Sequence, residues 1–341
     1  MASPISGLLS NRVLDAATVD ALALLLQRTD TVTISELARS IGRSEAEAAR
    51  AVERLKGAGS EIESGPGGSV RLVEASLSCW ADSIESRRTG RLGRRMIVYR
   101  ETESTQDVAR SLAAGEGAGS HGTVVVADSQ TAGRGRMGRS WWSSRGAGLL
   151  LTAIVGRAGL TTDRLCLAAC CAVAEAVEEV AAGRIDRARV RWPNDVLIGG
   201  AKVAGVLIDS VGDEREGAAL IGIGVNVSDA PAAGELDPAD GLTRKATCLS
   251  DHAGPVHRLR LLEVLLNRLE AGLNEADEDR LHEAWRERSS LLGRRVEAES
   301  GGRRVVGRVV DVDPRSGLMV QPDHGGVAVL GAATTRLVRV W

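Results

Sequence analysis

The 341-residue sequence predicts a multidomain α+β protein: a winged helix-turn-helix over 1–78, a linker over 79–95, a central α/β domain over 96–291 and a small β-barrel over 292–341. Three observations point there. Two short helical stretches, broken at Gly42, are followed by a strand pair around a Gly/Pro turn. From Met96 onward β-branched runs alternate with amphipathic helical runs, and beyond Leu292 the pattern changes to short strands with glycine turns.

Composition narrows the class. At 43% apolar residues the chain can bury a substantial core, and with no Phe and a single Tyr that core rests on Ala, Val, Leu, Ile and six Trp. A net charge of −2 exerts no global pull towards nucleic acid or an anionic membrane, although a local basic face remains open. Cys79, Cys166, Cys170, Cys171 and Cys248 show no CxxC or Cys/His spacing. Three of them sit in the helical run Arg164 to Val180, where they read as core residues in a reducing compartment. With no basic-then-apolar leader and no apolar run near about eighteen residues, a cytoplasmic protein with no membrane association is expected.

The N-terminal elements follow from spacing and caps. Val13 to Gln27 is apolar at helical intervals. Leu37 and Ile41, then Ala48, Val52 and Leu55, mark two helices restarted by Ser44 as N-cap, the helix-turn-helix pattern over 34–53. A hairpin over Glu61 to Val73 completes a winged helix. Ser44, Arg50 and Arg54 are the candidate DNA contacts, but the second helix begins with Glu45 and Glu47, which would face phosphate. From Ser44 to Lys56 three acids balance three bases, so operator binding and a structural or dimer-supporting role both stand.

Arg87, Arg88, Arg91, Arg94 and Arg95 crowd the linker, as at a solvated boundary. Met96 to Tyr99 reads as a strand. It leads to Ser104-Thr105-Gln106 at a strand-to-helix corner, where hydroxyls and an amide can cap the helix or hydrogen-bond a neutral polar ligand. Thr123 to Ala127 and Gly148 to Val155 are β-branched or apolar strands, and Leu165 to Ala181 is an Ala-rich helix. Val190 to Asp209 reads as two strands around Gly199-Gly200. Pro193 bends the first, leaving Asn194 and Asp195 free for a ligand or Mg²⁺. Lys202 either faces solvent or points inward, where it needs an anion. Ala219 to Val227 is a strand whose glycines permit close backbone approach; Leu259 to Ala271 and Glu278 to Glu287 are helices. Five short strands follow, from Arg294 to Val340.

Between the strands of the central domain lies Gln130 to Trp141, with three glycines, three arginines and a tryptophan in the nine positions from Gly133. So much glycine excludes a helix or strand interior and makes a mobile loop. Its guanidinium groups and free N–H groups suit a carboxylate or phosphate. Gly133-x-Gly135-x-x-Gly138 matches the dinucleotide fingerprint in form, but Ser140 to Gly146 has no helical period, so no helix N-terminus would receive a pyrophosphate.

In domain order and in three motifs the chain resembles the biotin protein ligases, specifically the two-function type that is also the biotin operon repressor. Gly133 to Trp141 looks like that family's biotin-adenylate loop, Arg191-Trp192-Pro193-Asn194-Asp195 like its Lys-Trp-Pro-Asn-Asp signature, and Lys202 to Val206 like the segment bearing its active-site lysine. The resemblance implies a central domain of the class II aminoacyl-tRNA synthetase-like fold and an SH3-like C-terminal barrel. It implies an enzyme that condenses biotin with ATP, with Mg²⁺, to biotinyl-5′-adenylate and passes biotin to a lysine of a biotin carboxyl carrier protein. It further implies operator DNA as a partner and a homodimer when ligand is bound.

On the same basis Lys202 and Arg136 are the catalytic residues. Ser104, Thr105, Gln106, Gln130, Gly135, Arg136, Met137 and Lys202 meet biotin; Arg134, Arg139, Trp141, Asn194, Asn226 and Arg336 meet ATP or the adenylate; Asp195 is the metal candidate. Gln106 stands where the family usually has Asn, and Met137 where it commonly has Arg. Two alternatives differ in kind: a biotin-sensing DNA-binding regulator without ligase activity, and a lipoate ligase.

Overall fold

The computed structural model describes residues 8–9, 14–157, 159–213, 216–232, 245–313 and 316–341. Its first helix, α1 (Ala16–Leu25), begins where the Asp15 carboxylate accepts from the Thr18 N–H. After β1 (Val32–Thr33) come α2 (Ile34–Ser40) and α3 (Glu45–Gly57), each opened by a reciprocal capping box: Thr33 with Glu36, and Ser44 with Glu47. Gly42, at φ +65°, supplies the left-handed turn between them. β2 (Glu61–Gly65) and β3 (Ser69–Glu74) form the expected hairpin, and β1 pairs with β3 to give a three-stranded sheet in the order β1-β3-β2.

The stretch expected to be a solvated linker is not bare chain. It holds α4 (Trp80–Glu85), with Trp80 and Ile84 buried. Of its five arginines Arg87, Arg91, Arg94 and Arg95 stay exposed, as at a solvated boundary, with Arg87 paired to Glu263 at 2.9 Å; Arg88 is drawn in against Glu270, a partner far along the chain.

The central part runs β4 (Arg95–Tyr99), α5 (Thr105–Glu116), β5 (Thr123–Ala127), β6 (Gly148–Gly156), α6 (Thr162–Ala181), β7 (Arg189–Arg191), β8 (Asp195–Ile198), β9 (Ala201–Val211) and β10 (Ala218–Asn226). It continues with α7 (Ser250–Ala253), α8 (Arg258–Asn274) and α9 (Glu278–Glu287). Its strands make one mixed sheet in the order β4-β5-β6-β10-β9-β8-β7. Only β4 and β5 are parallel, joined by the α5 crossover; the other neighbours are antiparallel. β5 and β6 are buried on both faces, which is why they read as unbroken apolar runs. On one face α6 presents buried alanines to α8, and Ala168 stands close enough to Gly272 that small residues are needed there. α5 covers the other face through Ala109 and Ala113, against Val125 and Ile154.

The C-terminal part is an antiparallel sheet of β11 (Arg295–Ser300), β12 (Arg303–Asp313), β13 (Gly317–Pro322), β14 (Ala328–Leu330) and β15 (Thr335–Val340), in the order β14-β13-β12-β11-β15. The parts are joined by buried charge. Arg258, opening α8, donates to Asp128 at 2.6 Å and to Glu74 at 2.9 Å, and its guanidinium lies 5.4 Å from the Trp80 ring centroid. One side chain thus links β3, α4 and the start of the loop that follows β5.

Candidate active site

A cavity of about 110 Å³ opens over the middle of the large sheet, walled by the N-terminal corner of α5, the 130–141 loop, β6, β9, β10 and the β7–β8 bend. Of the residues singled out from sequence, it gathers Ser104, Thr105, Gln106, Gln130, Arg134, Gly135, Arg136, Arg139, Trp141, Asn194, Asp195, Lys202 and Arg336.

One end is neutral and polar. Ser104 caps α5 by accepting from the Gln106 N–H at 3.2 Å. Gln130 Oε1 accepts from the Thr105 N–H at 2.8 Å and lies 3.1 Å from Thr105 Oγ1. Gln106 Nε2 donates to Leu220 O at 3.3 Å, and Gln106 Oε1 faces Thr152 Oγ1 at 2.9 Å. Gly222 is required opposite this amide, since a Cβ there would stand 2.6 Å from Gln106 Oε1.

The other end is cationic. Lys202 points inward: its Nζ lies 2.7 Å from Asp195 Oδ1 and 5.2 Å from the Trp141 ring centroid. Asp195 Oδ2 accepts from Arg191 Nη2 at 2.9 Å, and both side chains are buried. The expectation that Asp195 and Asn194 are left free is therefore corrected. Asp195 is held between two cations, because a buried carboxylate without a counter-charge would be costly. Asn194 donates through Nδ2 to Val206 O, and its Oδ1 accepts from Arg136 at 3.3 Å. Among the described residues no group of three His, Cys, Asp or Glu side chains could hold a metal ion, and Asp195 lacks the company a resident Mg²⁺ site needs.

The loop arches over this end. Its strands are pinned by Gly135 N–H to Arg139 O at 2.7 Å and Trp141 N–H to Gly133 O at 2.8 Å. Arg136 reaches from it to Asn194 and to the Ala332 carbonyl, tying it to the bend and to the C-terminal sheet. Arg134 pairs with Asp107 at 2.9 Å, and Arg336, contributed by β15, with Glu299 at 2.6 Å. The glycines of β9 and β10 make a floor for the Trp141 indole: a Cβ at Gly224 would stand 2.5 Å from it, and one at Gly205 3.0 Å.

Some expected residues lie elsewhere. Met137 turns outward, 55% exposed, at φ +57°, and does not line the cavity. Asn226 is buried outside the lining and donates to Thr247 O at 3.2 Å. Arg54, a candidate DNA contact, is paired with Asp15; Ser44 is engaged in its capping box; Arg50 is exposed. Glu47 is turned back onto Ser44 at the start of α3. Its hydrogen bonds from the Ser44 hydroxyl and N–H hold its carboxyl below the usual range.

Thr152, Thr335 and Leu337 also line the cavity and were not foreseen. Thr152 passed as one more β-branched strand residue; its signal was a hydroxyl among Leu149, Leu150, Leu151, Ala153 and Ile154. The helical cysteines behave as core. All five thiols are free, and burial pushes Cys171 up to about 12, which keeps it inert.

Such a fold and cleft define a class. Residues 99–226 match the Biotin/lipoate A/B protein ligase family. The biotin--[acetyl-CoA-carboxylase] ligase of Paracoccus denitrificans is 35% identical over 236 residues, 68% of this chain and 96% of that protein. The bifunctional ligase/repressor BirA of Bacillus subtilis is 35% identical over 224 residues; that match spans 64% of this chain and 66% of the relative's own length. Among solved structures, the biotin protein ligase of Aquifex aeolicus in complex with biotin and ATP superposes with a TM-score of 0.59 at 26% identity, covering 72% of this chain and 98% of that one. The chain belongs to the biotin/lipoate protein ligase family, on its biotin ligase branch.

Proposed function

We propose that this protein joins biotin to ATP, forming biotinyl-5′-adenylate, and then transfers biotin to one lysine of a biotin carboxyl carrier protein. The observation that carries the reading is a single cleft with a neutral hydrogen-bonding end at Thr105, Gln106 and Gln130 and a cationic end at Lys202 and Arg136. A bicyclic urea with a carboxylate tail fits that polarity. Lipoate does not, because a dithiolane has no N–H to offer Thr105 or Gln106, and the Paracoccus and Aquifex proteins named above for biotin support the same choice.

In the first step a biotin carboxylate oxygen bonds to the α-phosphorus of ATP while the bond to the bridging oxygen breaks and pyrophosphate leaves. Both reactants are anions, so fixed cations must hold them together; Lys202 neutralises the carboxylate and then the α-phosphate, and Arg136 the phosphate. Mg²⁺ enters with ATP as part of the substrate. Trp141 offers a ring face to adenine, with Arg134, Arg139 and Arg336 around the nucleotide. In the second step the carrier's lysine amine attacks the acyl carbon and AMP departs. The loop shields the mixed anhydride from water meanwhile.

The proposal extends to the flanking parts: a winged helix over 1–78, a catalytic domain over 96–291 and an SH3-like barrel over 292–341. A repressor role rests on the α2–Gly42–α3 geometry and on exposed Arg39, Arg43 and Arg50. It would require a ligand-bound homodimer spanning two half-sites. Intact Lys202 and Arg136 favour an active enzyme over a sensor without catalysis. Labelled biotin, a carrier domain and ATP test the main reading: label on the carrier lysine only with ATP supports it, and none in either case defeats it.

A further inference from the structure

Thr152 is fully buried in the middle of β6, where a hydroxyl is costly unless it is hydrogen-bonded. Its Oγ1 lies 2.9 Å from both Thr105 Oγ1 and Gln106 Oε1. The two amides around it have forced orientations. Gln130 must turn its oxygen to Thr105, because the backbone N–H there can only donate. Gln106 must turn its nitrogen to Leu220 O, because a carbonyl can only accept, so its oxygen faces Thr152.

A proton count follows. Three close contacts, from Thr105 Oγ1 to Gln130 Oε1, from Thr105 Oγ1 to Thr152 Oγ1 and from Thr152 Oγ1 to Gln106 Oε1, share only the two hydroxyl protons of Thr105 and Thr152. One contact is always without a proton, so the wall has room for one more donor. Beside it, Gln130 Nε2 takes no acceptor among the described residues and lies 3.0 Å from where a Gly133 Cβ would be. A group that offers N–H and C=O side by side satisfies both.

We propose that Thr152 is a positioning residue that sets this donor deficit and so determines selection of a cyclic urea at the neutral end of the cleft. The inference deepens the biotin reading and rests on it. Thr152 acts through Thr105 and Gln106: its single proton can serve only one of Thr105 Oγ1 and Gln106 Oε1, so the other is left to accept from the ligand.

Pyrophosphate release, measured against biotin and ATP in turn, tests this on the full chain. Thr152→Val keeps the shape and removes the hydroxyl; it is expected to raise the biotin KM about tenfold, with kcat and the ATP KM within about twofold of wild type. Thr152→Ser, which restores the hydroxyl, should return the biotin KM to within about twofold. If Thr152→Val does not fold, Thr152→Ala removes the same hydroxyl without crowding the strand and carries the same expectation. An unchanged biotin KM, or equal losses in kcat and in the ATP KM, overturns the inference while an active wild type leaves the biotin reading standing. A wild type that releases no pyrophosphate with biotin overturns that reading and the inference with it.

Discussion

Lys202 Nζ stands 2.7 Å from Asp195 Oδ1, and the other oxygen of that carboxylate accepts from Arg191 at 2.9 Å. The triad is unequal: Arg191 and Asp195 are buried, whereas Lys202 retains 22% of its side-chain exposure, towards the cleft. Removing Lys202 leaves a paired Asp195–Arg191 couple, but removing Asp195 strands a buried guanidinium. Lys202→Ala is therefore expected to keep its melting temperature and lower adenylate formation about 10²–10³-fold. Asp195→Ala should lose about 3–5 kcal/mol of stability, read by denaturant titration. Equal stability of the two variants would show that Asp195 does not hold Arg191 in place.

Gly224 tests the seat of the indole. A Cβ there would stand 2.5 Å from the Trp141 ring, so Gly224→Ala must push the indole off its floor. The ATP KM should rise about tenfold or more while the biotin KM moves less, because the neutral end lies farther along β10 at Gly222. An ATP KM equal to wild type would detach Trp141 from the nucleotide.

Arg136 joins the loop to Asn194 and to the Ala332 carbonyl. Arg136→Gly removes both ties and a cation, and is expected to release the adenylate before transfer, so that biotin reaches lysines of bystander proteins. Met137, outward-facing and uncharged, gives the loop no compensating hold. Biotin incorporation into an unrelated lysine-rich protein checks this; equal incorporation by wild type and variant, with carrier labelling preserved, would take Arg136 out of the lid.

Much of this architecture was legible because local chemistry and final environment agree. Thr123 to Ala127 is β-branched and buried on both sides, and the Ser44 cap announces α3. The illegible features depend on partners distant in sequence. α4 looked like linker because Trp80 finds Arg258 only in the fold. Asp195 looked free because Lys202 meets it only once the Gly199-Gly200 turn folds β8 onto β9. Asn226 meets the nucleotide only as the family resemblance implies, whereas its position at the end of β10 turns it towards Thr247.

His257 precedes α8, with the backbone of Arg28 and Val73 beside its ring. Burial holds its imidazole below the usual histidine range and the nearby Arg71 charge adds to this, although the neighbouring backbone of Arg28 and Val73 acts the other way. Between the folded value and the unfolded value of about 6.5 the unfolded chain binds the extra proton. Stability is thus present above about pH 6.5 and lost as pH falls through that window. The melting temperature of wild type should drop more than that of His257→Asn between about pH 7.5 and about 5.5; parallel drops would place the acid sensitivity elsewhere.

The most direct test of the chemistry is exchange of labelled pyrophosphate into ATP by the purified protein, with biotin, with lipoate and with neither. Exchange that requires biotin, ignores lipoate and falls with Lys202→Ala is the expected result. Exchange driven by lipoate, or none with biotin at saturating ATP, would contradict biotin activation in this cleft.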